Sequence, residues 1–180
     1  MYGKIVFRAV LLAMSCAMLW AAISSLGDSQ TEQMPYATTV FAGQKPVRLT
    51  EDNLVDGLSV LPLPLPLAKV DLNAGILSVD LKVMDEESST EQVYRGMAEL
   101  ISFAFEHTSN VDQLLLRVLA EDRWLGTRYL LIAADVRRNE ISTEELSGLR
   151  DIGDGPLTED LQSRMHVTQT QLWKSRFLSE

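Results

Sequence analysis

Three apolar runs and one amphipathic segment organise residues 76–136. Leu77, Val79, Leu81 and Val83 alternate with Ser78, Asp80 and Lys82, the period of a strand with one buried face. The runs 111–119 and 129–136 are apolar on both alternating registers, the pattern of strands covered on both sides. Between the first run and the second, Val93, Met97, Leu100, Ile101, Ala104 and Phe105 recur at helical spacing. Glu91, Arg95, Glu99 and Glu106 fall outside that stripe, so the spacing predicts a helix over 90–107. Ser88 or Ser89, three residues before Glu91 and Gln92, opens it with a capping box. Gly96 in its interior is disfavoured against Ala by ~1 kcal/mol and so marks close packing on the sheet.

Patterning upstream is weaker. Val70-Asp71-Leu72 alternates into Asn73-Ala74-Gly75, where glycine supplies a positive φ, so residues 70–83 read as a hairpin. Leu61 to Leu67 alternates leucine with proline. It reads either as an extended polyproline linker or as an edge strand whose prolines delete every outward donor. Residues 28–34 form a polar tether and 36–41 a β-rich run. Thr50-Glu51-Asp52-Asn53 reads as a helix start or an acidic turn that Gly57 ends.

Downstream, Ser142 precedes Thr143-Glu144-Glu145-Leu146, a short capped helix with acids in its first turn. Gly153-Asp154-Gly155-Pro156 is a break. Leu157, Leu161, Met165, Thr168 and Leu172 then recur at helical spacing, which predicts an amphipathic helix over 158–177. The fold class expected is α+β. A mixed or antiparallel sheet of about four to five strands carries one main helix on a face. The expected parts are an anchor or signal peptide at 1–27, a tether and first strand at 28–60, an α/β domain at 61–150 and a C-terminal amphipathic helix at 151–180. Helix 90–107 covers one face only. The two-sided apolar strands therefore need a second cover: the C-terminal helix, an oligomer mate or a partner.

The N-terminus changes the setting of that domain. Residues 5–26 are mostly apolar and, as a helix, rise about 33 Å, roughly one hydrocarbon thickness. Lys4 and Arg8 lie on its leading side and Asp28 and Glu32 follow it, so the remainder is expected outside the cytoplasm. A retained single-pass transmembrane anchor is the first reading. Cleavage after Ala22-Ile23-Ser24, with secretion, is the second. A lipoprotein is the third, but Ala13-Met14-Ser15 lacks the usual leucine before Cys16, and apolar sequence continues beyond it.

Charge narrows the partners. The formal net charge is −9, and only Lys4 and Arg8 belong to the first 27 residues. That leaves 14 basic against 25 acidic residues downstream, a net of −11. Such a surface repels phosphate backbones and anionic headgroups, so nucleic acid is excluded as a partner. Cys16 is the single cysteine, so the downstream body has neither disulfide nor cysteine metal site.

Little chemistry is legible. His107 and His166 are the only histidines, in no ligand spacing, and no cofactor motif occurs. His107 with Asp112 is imaginable as an acid–base pair, but a histidine at a helix end ordinarily complements the dipole. Asp71 and Asp80, on opposite hairpin arms, could form a carboxylate pair, although solvent-facing strand positions explain them. No nucleophile elbow or phosphate loop is present. No catalytic, cofactor or metal residue is assigned. The contact candidates are Trp124 in a hairpin loop and Trp173, Leu161, Met165 and Leu172 on the C-terminal helix.

Asn73-Ala74-Gly75-Ile76-Leu77-Ser78-Val79-Asp80-Leu81, with helix 90–107 and Asn110-Val111-Asp112-Gln113-Leu114, resembles the GerM-type domain of sporulation and germination proteins over residues 70–119. Residues 84–89 lack that family's usual continuation, and neither strand 129–136 nor anything after Asp135 has a counterpart. The resemblance implies an α/β interaction module in membrane-tethered extracytoplasmic proteins of spore-forming bacteria, with no catalytic residue to carry over. The expectation is thus a non-enzymatic, membrane-anchored extracytoplasmic interaction or assembly domain, sporulation or envelope related, that binds a protein partner or itself. The alternative is an exported domain that binds a small ligand or wall fragment near Trp124. An envelope hydrolase using carboxylates is a third.

Overall fold

Five strands form one mixed sheet in sequence order: β1 (Leu67–Asn73), β2 (Ile76–Val83), β3 (Gln113–Glu121), β4 (Arg128–Arg137) and the short β5 (Thr168–Gln169). Neighbours run antiparallel except β2 and β3, which are parallel. The architecture is α+β, with several helices around that sheet. A computed structural model describes residues 45–83, 88–122 and 125–178. The predicted membrane segment at 5–26, the tether, the 36–41 run, most of the 84–89 loop and Trp124 lie outside the described residues.

The β1–β2 hairpin closes as the pattern predicts. Ala74 and Gly75 have φ of +48° and +83°. Positive φ at both central positions is the turn whose twist matches paired strands. A parallel join then needs a crossover. Helix α1 (Glu51–Ser59) precedes the hairpin, and α2 (Thr90–Ser102) makes the crossover. Ser89, not Ser88, caps α2: its hydroxyl accepts from the Gln92 N–H, and the Gln92 amide accepts from the Ser89 N–H. A Cβ at Gly96 would stand 3.3 Å from Leu81 Cδ1 and 3.7 Å from Pro64 Cγ, so the helix does press on the sheet there.

Helical structure continues to His107, but Phe103–His107 is a π-helical segment. The last carbonyls of any helix lack partners within it. Arg138, just beyond β4, serves them. Its guanidinium donates to the carbonyls of Ala104 (3.3 Å), Phe105, Thr108 (3.0 Å) and Val111 (2.9 Å). The same cation lies 5.5 Å from the centroid of the Phe105 ring. Residues 47–49 dock beside this terminus: Val47 N–H donates to His107 O, and Asn110 exchanges two bonds with the Leu49 backbone.

The leucine–proline run corrects the edge-strand reading. Only Leu67 enters a strand. The Leu61 and Leu63 N–H groups donate locally, to Leu58 O and Leu61 O, so they are not offered to a neighbouring strand. The run crosses α2, with Leu65 buried and Pro64 near Gly96. Gly57 does not end α1 either. A Cβ there would stand 3.2 Å from Phe103 Cζ, so glycine admits that ring and the helix runs on to Ser59.

Helix α3 (Thr143–Asp151) has its Ser142 cap. The single helix expected over 158–177 is instead α4 (Glu159–Arg164), β5 and α5 (Gln171–Phe177). The open edge of β4 explains the interruption. Asp135 N–H donates to Met165 O, and Thr170 N–H donates to Leu131 O, so sheet pairing replaces helical bonds from 165 to 170. His166 makes the turn with φ +46°.

The core lies on one side. Leu77, Val79 and Leu81 of β2, Leu114, Leu116 and Val118 of β3, and Ile132 and Val136 of β4 join one cluster with Met97 and Leu100 of α2, Leu149 of α3 and Trp173 of α5. The C-terminal helix therefore shares the face of α2 and is not the second cover. The alternate register of β3 and β4, expected to be fully buried, is half-open.

Candidate functional site

The alternate residues of β1 to β4 build the second face of the sheet. Register places Lys69, Asp71 and Asn73 on β1 beside Ile76, Ser78, Asp80 and Lys82 on β2. Next come Gln113, Leu115, Arg117, Leu119 and Glu121 of β3, then Arg128, Leu130, Ala133, Asp135 and Arg137 of β4. The strand alternation seen in the sequence dictates these positions, but only the pairing register makes them neighbours.

Its charges are largely matched within the face. Arg117 grips Asp80 bidentately, and Asp80 is buried beneath it at 5% exposure. Glu121 accepts from Lys82 at 3.0 Å and from Arg128 at 3.1 Å. Those hydrogen bonds, the one from Lys82 foremost, hold the Glu121 carboxyl below its ordinary value. Gln113 Nε2 donates to Asp135 Oδ1 at 2.6 Å.

Between these pairs sit apolar side chains that the core does not claim. Ile76, Leu115 and Leu130 are half-exposed. None belongs to the core cluster or to the partly buried residues packed against it. Leu119 is 9% exposed yet also outside that cluster, flanked in register by Lys82 and Leu130. Neutralised ion pairs around isolated leucines suit contact with another surface. They leave few polar groups free to orient a small substrate.

The candidates named from the sequence lie elsewhere. Trp173 is fully buried, its ring 6.0 Å from Tyr94 and 4.5 Å from Phe177 between centroids. Met165 and Leu161 are buried in the same core, because α4 and α5 turn their apolar residues inward. Leu172 is 42% exposed and is the one described contact candidate at the surface. Trp124 is outside the described residues. The Asp71–Asp80 pair is not formed: Ser78 stands opposite Asp71, Lys69 stands opposite Asp80, and Asp80 pairs with Arg117. His107 is half-buried in the last turn of the π-helical segment, and Asp112 is exposed. His166 Nδ1 lies 3.0 Å from Asp135 O and 3.7 Å from Glu140 Oε2.

Two features were not anticipated. The Asp80–Arg117 pair left a trace in the sequence, a lone arginine inside an apolar strand. Arg138 left none, since nothing local distinguishes an arginine after a strand. Among the described residues no group of three or more His, Cys, Asp or Glu could hold a metal ion, and no helix is long and apolar enough to cross a membrane. No protein-family model, curated protein or solved structure matches the chain.

Proposed function

We propose that this chain is an extracytoplasmic interaction or assembly domain, held at the membrane by residues 5–26, and that it acts by contact and not by catalysis. The observation that supports this most is the half-open sheet face, where Ile76, Leu115 and Leu130 lie outside the core between matched ion pairs. Covering those side chains is favourable. The neighbouring charges, already paired, need no counter-charge from the partner. The net charge of −11 beyond residue 27 directs that partner away from nucleic acid and anionic lipid and towards protein. A GerM-type interaction module over residues 70–119 is the family proposal consistent with this role.

The test is a photo-crosslinking residue at Leu115 in the full chain, activated in its own membrane. A discrete protein adduct, lost when Leu130 is changed to Glu, is the expected result. An activated probe that captures no protein, or a body resistant to external protease only when the cytoplasm is sealed, overturns the proposal.

A further inference from the structure

The free edge of β1 carries a pattern that its own copy completes. β1 closes one side of the sheet, and among the described residues no strand lies beyond it. The two-residue turn makes Asn73 and Ile76 the closing hydrogen-bonded pair of the hairpin. Bonded and non-bonded pairs alternate from there. Asp71 therefore exchanges bonds with Ser78, whereas Val70 and Leu72 turn their N–H and C=O groups away from β2. Outward groups of this kind are a template for another strand. Lys69 and Asp71, both exposed, flank Val70 on the open face.

We infer that β1 pairs antiparallel with β1 of a second copy, about a two-fold axis at Val70. Val70 then meets the second copy's Val70 through two reciprocal backbone hydrogen bonds. Lys69 meets the copy's Asp71, and Asp71 meets the copy's Lys69, so opposite charges face each other on both sides of the axis. Cross-strand pairs of opposite charge stabilise, and like charges directly opposite destabilise. An axis at Asp71 would set two carboxylates face to face, and an axis at Lys69 two ammonium groups. The edge is thus self-complementary in one register and repelled in its neighbours. Edge charges ordinarily keep foreign strands away; here their alternating sign admits a copy of the same strand. The product is a dimer with one sheet continuous across both bodies. This goes beyond the interaction reading above: the copy pairs along the β1 edge and leaves the Leu115 face to its own partner.

The test is dimerisation of the full chain in detergent, followed by sedimentation over a wide concentration range. The wild type should dimerise. Val70→Pro deletes the outward donor without touching a bond to β2, and should give a monomer with unchanged circular dichroism. Lys69→Asp and Asp71→Lys should each weaken the dimer roughly tenfold or more. The double reversal, Lys69→Asp with Asp71→Lys, should restore it. The charge variants keep the proposal falsifiable should Val70→Pro disturb folding. A wild-type monomer, or a dimer indifferent to charge reversal, overturns the edge pairing. The two readings fail separately: a charge-dependent dimer supports the edge pairing whatever the Leu115 probe captures, and a Leu115 adduct without a dimer leaves the interaction reading standing alone.

Discussion

Asp80 and Arg117 meet across two parallel strands, the guanidinium donating through Nε and Nη2 to the two carboxylate oxygens at 2.8 Å each. Their positions are directly paired in the β2–β3 ladder. The carboxylate is buried, while the Arg117 side chain is 54% exposed, so water screens one partner only. Arg117→Ala leaves the carboxylate without its fork and should lower stability by about 1–2 kcal/mol, less than for a fully buried pair. Urea titration checks this. An unchanged midpoint would mean that the pair contributes nothing net.

The hairpin turn holds a correctable strain. Ala74 occupies the left-handed region at φ +48°, where a Cβ is disfavoured. Ala74→Asn creates the Asn-Gly pair that this turn prefers and should raise stability by roughly 0.5–1 kcal/mol. Gly75→Ala should do the reverse by more than ~1 kcal/mol. Its φ is +83°, and the new Cβ would stand 3.2 Å from Asp112 Oδ2 and 3.3 Å from Asn110 O. Thermal midpoints of the two variants should move in opposite directions.

Arg138 binds the end of the π-helical segment to the sheet through four backbone carbonyls. A lysine keeps the charge but has no planar fork. Arg138→Lys should therefore cost about 2 kcal/mol and should speed amide exchange at Val47 and Ser109, whose bonds dock the 47–49 arm there. Uniform exchange rates across the domain, with no local excess at these amides, would contradict the assignment.

Acid should loosen the start of α2. The backbone N–H of Glu91, and then the Thr90 hydroxyl, hold Asp154 below its ordinary value of 3.8. A carboxyl with a lowered folded value contributes stability above its unfolded pKa and loses it as the pH falls through the folded value. Asp154→Asn should flatten the acid limb of the stability curve below about pH 4 and leave its slope at neutral pH unchanged. Equal slopes in wild type and variant would refute this.

At the alkaline end the relevant group is Tyr94. Burial raises its phenol to about 12, and the Leu157 backbone offsets this only in part. Its hydroxyl has no hydrogen-bond partner of good geometry. The raised value means stability is intact below the unfolded pKa near 10 and is lost as the pH rises towards 12. Tyr94→Phe should leave neutral stability within ~0.5 kcal/mol, since no bond is broken, and should remove that alkaline loss. Stability curves from pH 8 to beyond 10 decide it.

Local physics was legible where one rule sufficed. The alternation at Leu77–Val83 set β2 to within one residue, Ser89 with Gln92 started α2, and the Asn73-Ala74-Gly75 turn closed the hairpin. Helical spacing over 157–172 misled because three- and four-residue intervals also serve two short helices that face one core. The interruption at Met165 comes from β4, whose open edge competes for backbone bonds from a distance. The candidate surface was hidden for the same reason. Apolarity on both registers of β3 shows that leucines face both ways, not which face the helices take.

By itself, the sequence determined which residues alternate, where α2 and α3 are capped and the acidity of the body, all properties of a residue and its near neighbours. The tertiary structure alone decided that every described helix of the core shares one face, that Asp80 finds Arg117, that Arg138 closes a helix formed more than thirty residues earlier, and that β1 is left at the edge. Each of these depends on which strand lies beside which. That order is settled by burial and hydrogen bonding across the whole chain, and no local window contains it.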